Sequence, residues 1–103
     1  MADKPYFILA ALRIDDRERY AEYERGFGAV LHEYGGELLA FDDAPATIEG
    51  TPPEGRLVIL RFPGEDAARR WYDSDAYQAL MQHRLEASET HFLALLRGMQ
   101  AAR

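Results

Sequence analysis

Two segments of this chain are apolar on both faces of an extended backbone. In Tyr6–Ile14, YFILAALRI, the alternation of a strand sets Tyr6, Ile8, Ala10 and Leu12 on one side and Phe7, Leu9 and Ala11 on the other. In Arg56–Phe62, RLVILRF, Leu57 and Ile59 oppose Val58, Leu60 and Phe62 in the same way. Antiparallel sheets ordinarily alternate apolar with polar residues because one side is wet. A layer built from these segments needs cover on both sides, since a bare one would expose a larger apolar patch than a soluble monomer tolerates.

The rest of the chain supplies cover for one side. DDRERYAEYERGFGAVLHEYGG spaces Tyr20, Tyr23, Phe27, Val30, Leu31 and Tyr34 as a helix does, with Asp15 as N-cap, Glu18 as its partner and Gly35-Gly36 as the stop. ELLAFDD reads as a second strand, and APATIEGTPPEG as a loop rich in Pro and Gly. PGEDAARRWYD opens a second helix that sets Ala67, Ala68 and Trp71 on one face. Ser74 is a fresh N-cap for DAYQALMQHRLEA, where Tyr77, Leu80 and Met81 fall together, and THFLALLRGM reads as a last strand. The order β-α-β-β-α-β predicts an α+β ferredoxin-like sandwich, four antiparallel strands with helices on one face. A second copy packed sheet against sheet is the simplest cover for the other face, forming a homodimeric α+β barrel.

Totals narrow the function classes. At 103 residues one domain, 1–103, is expected. A net charge of −6 disfavours nucleic acid and anionic membranes as partners. There is no cysteine, which excludes disulfides, thiolate metal sites and Cys nucleophiles. One Lys followed by seven apolar residues, Tyr6 to Leu12, is too short for a spanning helix or a secretory signal, so a cytoplasmic location is expected.

YAEYERGFGAVLHEYGGELLA and RLVILRFPGEDAARRWYDSDAYQALMQHR, joined by the Gly-Pro loop, resemble the proteins grouped as domain of unknown function 1330, within the dimeric α+β barrels. The resemblance runs from Tyr6 to Gly98 and is carried by the Tyr-Gly-Gly turn and the Ala-x-x-Trp-Tyr-x-Ser-x-x-Tyr-Gln segment. It implies the fold and the dimer but no particular reaction. Related barrels include cofactorless monooxygenases, haem-degrading enzymes, muconolactone isomerases and chlorite dismutases, with the pocket between sheet and helices.

Inward-facing polar side chains are therefore the candidates. Tyr23, mid-helix, would need a buried partner for its hydroxyl, whereas Tyr20 and Tyr34 read as space-fillers. Trp71 is core packing or an aromatic wall for a flat ligand, and Tyr77 is a helix anchor or a pocket phenol. Tyr72, next along the helix from Trp71, is expected to point outward. Arg84 could hold a carboxylate or enolate, or pair with Glu86 or Glu89. Among the histidines, His32 and His83 read as solvated, and His91, with Leu93 and Leu95 on its side of the pleat, as the one that faces inward. Gly26 and Gly28 imply close approach of the backbone to the sheet or to a ligand.

No histidine pair or carboxylate cluster has ligand spacing, so neither a metal nor a cofactor is expected, although a lone His in an open pocket could be an axial haem ligand. The expected activity is that of a small cofactor-independent enzyme, monooxygenase- or isomerase-like, on a small apolar or anionic aromatic compound. Tyr23 or His91 would accept a proton, Arg84 would hold the anion, and Trp71 and Tyr77 would wall the pocket. The alternatives are a non-catalytic binding protein and a purely structural dimer.

Overall fold

The doubly apolar strand β1 (Tyr6–Ile14) sits where both of its edges are paired, with β3 (Arg56–Phe62) antiparallel on one side and β4 (Ser88–Arg97) on the other. β2 (Glu37–Asp42) extends the sheet beyond β3, giving four antiparallel strands in the order β2-β3-β1-β4. The helices are α1 (Arg17–Glu33), α2 (Glu65–Asp73) and α3 (Asp75–Ala87). This is the expected ferredoxin-like α+β arrangement, with the second helical segment divided at Ser74. The computed structural model describes residues 4–99; residues 1–3, the start of the N-terminal segment considered above, lie outside that range. Among the described residues no helix is long and apolar enough to cross a membrane.

Local chemistry sets the helix ends. Asp16, one residue beyond the expected Asp15, caps α1 by accepting from the Arg19 backbone N–H at 3.1 Å. Asp15 is occupied otherwise: its carboxylate pairs with Arg13, and its backbone N–H donates to Ala87 O at 2.8 Å. The helix ends in a left-handed turn at Gly35, φ +77°, where Gly36 N–H reaches Leu31 O and Gly35 N–H reaches His32 O. Ser74 alone separates α2 from α3. Its hydroxyl donates to Trp71 O at 2.8 Å and accepts from Tyr77 N–H at 3.1 Å, which fixes those two aromatic residues relative to one another.

Strand register assigns the two faces. Ile8 pairs with Leu60 and Leu95, and Ala10 with Val58 and Leu93; with Leu12 and Phe62 these line the side packed by Tyr20, Trp71 and Tyr77. On the other side Phe7 meets Leu96, Leu9 meets Ile59 and Ala94, and Ala11 meets Leu57 and Phe92. That side remains open within the chain, with Ile59, Phe92 and Leu96 exposed by 38, 40 and 43%. The last strand starts at Ser88, two residues ahead of the expected Thr90, and ends at Arg97.

Replacing the shared cap, Ser74→Ala, is expected to destabilise the fold by about 1 kcal/mol, the usual loss for an N-cap hydroxyl. Urea unfolding should show a lower midpoint with an unchanged slope.

Candidate functional site

The helices do not seal fully against the sheet. A cavity of about 290 Å³ lies between them, floored by Ile8, Leu12, Leu60 and Leu93. Tyr20, Tyr23 and Phe27 project into it from the α1 stripe, Trp71 from α2, and Tyr77 and Arg84 from α3, two turns apart on one face. The aromatic wall is continuous: ring centroids are 4.1 Å apart for Trp71 and Tyr77, 6.0 Å for Tyr77 and Tyr23, and 5.4 Å for Tyr23 and Phe27. Trp71 and Tyr77 are 1% and 0% exposed, so this is the closed end. Glu24, Gly28, Leu38 and Phe41 also line the cavity and are exposed, so the opening lies between α1 and β2.

The polar groups of the closed end are mainly donors. The Tyr23 and Tyr77 hydroxyls lie 2.6 Å apart, and one bond between two O–H groups leaves one proton over for a further acceptor. Burial, reinforced by Tyr77, pushes the Tyr23 phenol well above its ordinary range, so it is protonated at neutral pH. Arg84 is 4% exposed; its Nη1 donates to Thr90 Oγ1, and its guanidinium carbon is 6.0 Å from the Tyr23 ring centre. Burial opposes the Arg84 charge, but the Tyr77 and Tyr23 oxygens outweigh it and keep the guanidinium above its usual value. Arg84 Nε and Trp71 Nε1 are both buried with no hydrogen-bond partner. An orphaned donor costs about 1–3 kcal/mol.

A second arginine organises the opening. Arg56 Nε and Nη2 grip Asp43 at 2.7 and 3.2 Å, and Nη1 reaches Glu24 at 3.0 Å. The guanidinium also lies over Phe41, 4.6 Å from its centroid, and Tyr20, 5.5 Å. Hydrogen bonds from Arg56 hold the Asp43 carboxyl below the usual carboxylate range. Arg56, Glu24 and Phe41 escape a motif-based reading of the sequence. Period two nonetheless places Arg56 on the same side as Leu60 and Phe62, the signal that could have found it.

Tyr23, Trp71, Tyr77 and Arg84 thus meet around one cavity, and Tyr20 lines it as well as filling space. His91 does not join them. The β1–β4 ladder shifts between Ala11 and Leu12, which pair with Phe92 and Thr90, so His91 falls in a bulge rather than facing inward. It is exposed, with Nε2 2.8 Å from Glu54 O. Arg84 is paired with neither expected acid: Glu86 binds Arg19 at 2.7 Å and Glu89 binds Arg13 at 3.1 Å. Tyr72, expected to point outward, is half-buried beside Trp71 and Tyr77, and His83 is half-buried with Nδ1 unpartnered.

The two helical glycines differ. A Cβ on Gly26 would lie 2.7 Å from Leu80 Cδ2, so helix packing accounts for that residue. A Cβ on Gly28 would meet nothing within 4 Å, although glycine in a helix costs about 1 kcal/mol relative to alanine. Among the described residues no group of three or more His, Asp or Glu could hold a metal ion.

The fold and cavity define an α+β protein of ferredoxin-like topology with a helix–sheet pocket. The chain belongs to the family described as domain of unknown function 1330, whose pattern matches residues 4–99. The RPA0582 protein of Rhodopseudomonas palustris, a protein of unknown function, superposes with a TM-score of 0.71 at 20% identity, over 98% of this chain and 85% of its own. HapK from Hahella chejuensis gives 0.62 at 13% identity, over 95% and 96%. SnoaB, a cofactor-independent oxygenase from Streptomyces nogalater, gives 0.57 at 14% identity, over 97% of each chain. These likenesses show the fold. No curated protein matches the sequence.

Burial of the phenols generates a pH prediction. Tyr20 is pushed up from 10.0 to about 12, chiefly by burial, and Tyr23 is raised too. The folded chain keeps protons that the unfolded chain releases above its phenol value, so the contribution is complete below pH 10.0 and is lost as pH rises towards about 12. Stability from urea unfolding is expected to hold up to about pH 10 and then fall by up to about 1.4 kcal/mol per pH unit per phenol, with a shallower fall in Tyr20→Phe.

Proposed function

We propose that the cavity takes a small, largely apolar compound bearing an anionic or enolic oxygen, and that the protein acts on it without a cofactor. The observation that carries this is Arg84: a buried cation with an unpartnered Nε beside the Tyr23–Tyr77 hydroxyl pair, at the closed end of an aromatic-walled cavity. Donors fixed at the closed end of an aromatic-walled cavity favour charge developing on a substrate oxygen, the requirement shared by enol-forming isomerisation and by oxygenation through an enolate. The fold of a cofactor-independent oxygenase accords with such chemistry. Tyr23 serves as a hydrogen-bond donor here rather than as the proton acceptor, because a phenol is protonated at neutral pH and its hydroxyl is already shared with Tyr77.

One observation favours a second reading, a non-catalytic binding protein. Of the two acceptors expected from the sequence, Tyr23 is held protonated and His91 stands outside the cavity. Glu24 is the carboxylate at the opening, and it is engaged by Arg56. Turnover would need that pair to part, whereas binding alone would not.

The open sheet face supports a homodimer formed by sheet-to-sheet packing, since Phe7, Leu9, Ile59, Phe92 and Leu96 form one apolar surface that the chain's helices do not cover. Native mass spectrometry is expected to show twice the 11.7 kDa chain mass, and Ile59→Glu to return it to a monomer. A monomeric wild-type protein at micromolar concentration would refute the dimer.

Trp71 is the single tryptophan and stands in the cavity wall, so its fluorescence reports occupancy. Phenylacetate is expected to bind more tightly than phenylacetamide. Arg84→Met should weaken the acid by about 10- to 100-fold, the range for a lost charge-assisted hydrogen bond, with little effect on the amide. Equal binding of acid and amide to the wild-type protein would rule out the proposed role of Arg84.

A further inference from the structure

The geometry points to a ligand longer than the enclosed part of the cavity: an acid whose head lies at Arg84 and whose apolar body leaves between Gly28 of α1 and Leu38 and Phe41 of β2. This rests on the anion-binding role proposed for the same cavity and adds the shape of the ligand. Three observations carry it. The lining changes from the fully enclosed Trp71 and Tyr77 to Leu38 and Phe41, which are 45% and 52% exposed, so the apolar wall continues past the enclosed volume to the surface. Large apolar side chains in that position gain by contact with an apolar occupant that projects outward. Arg56 lies over the Phe41 ring, 4.6 Å from its centroid, while bonded to Asp43 and Glu24, which keeps this lip in place.

The third observation is Gly28. It stands one helical turn beyond Glu24 on the cavity side of α1, and a Cβ there would meet nothing within 4 Å. Gly26, two residues earlier, has a packing partner in Leu80; Gly28 has none. A bare backbone at the opening leaves room for an occupant to pass, and a side chain there would narrow the passage opposite Phe41. Gly28 is therefore a specificity residue that acts by its lack of a side chain, and the favoured class is an elongated aryl or alkyl acid rather than a compact one.

The test compares benzoate with biphenyl-4-carboxylate by titration calorimetry. The wild-type protein is expected to prefer the longer acid by about tenfold or more, in line with the added apolar contact. Gly28→Leu should collapse that preference to about twofold or less while retaining a cooperative thermal transition, and Gly28→Ala should raise Tm and reduce the preference less. Arg84→Met should weaken both acids and leave their ratio near the wild-type value. A Gly28→Leu ratio equal to that of the wild-type protein, with binding still dependent on Arg84, would overturn the elongated-ligand inference alone. Failure of both acids to bind the wild-type protein would overturn the anion-binding role and this inference together.

Discussion

Strand β1 has no polar face, and the architecture follows from that constraint. A strand apolar on both sides is stable only at the centre of a sheet with cover above and below, and β1 has a neighbour on each edge and the helices over one side. The ladder hydrogen bonds satisfy its backbone, so its contribution to specificity is the pair of apolar surfaces it presents. One surface became the core shared with Tyr20, Trp71 and Tyr77; the other remains open within the chain, and its apolar character is the reason for proposing a twin.

The cavity is a consequence of how the helices meet that core. α1 and α3 are drawn together where Gly26 receives Leu80 and where the Tyr23 and Tyr77 hydroxyls touch. The same contact turns large rings edge-on to one another, and rings in that arrangement leave space above the sheet that smaller aliphatic side chains could have filled. Because the enclosed polar atoms are mostly donors, the space has an electrostatic sign: it suits an acceptor and disfavours a cation. The two arginines divide the work. Arg56 is fully engaged in holding the opening together, whereas Arg84 keeps an unused donor inside.

Much of this site could be read from local spacing. Tyr20, Tyr23 and Phe27 share a stripe at helical intervals, and Tyr77 and Arg84 lie seven residues apart on the next long helix, so their inward direction follows from periodicity. The partners of these groups could not be read in that way. Glu86 and Glu89 are close to Arg84 in sequence, but Arg19 and Arg13 take them, through contacts that exist only once α1 lies beside the end of α3 and β1 pairs with β4. Counting along an ideal strand points His91 inward, and a bulge, which inserts one residue into the ladder, cancels such counting. Arg56 opens a strand after a loop rich in Pro and Gly, a setting typical of exposed residues, and only the approach of Glu24 and Asp43 makes its burial tolerable.

Local spacing along the chain fixes the set of elements, their order, the helix stops and caps to within a residue, and the sheet that is apolar on both sides. Each of these depends on neighbours a few residues away, whose spacing is fixed by the backbone. Packing between distant segments set the pairing of Tyr23 with Tyr77, the isolation of Arg84 from carboxylates, the ion-paired opening around Arg56 and the exclusion of His91. Those depend on contacts between segments distant in sequence, where a displacement of a few ångströms turns a salt bridge into an unpaired charge.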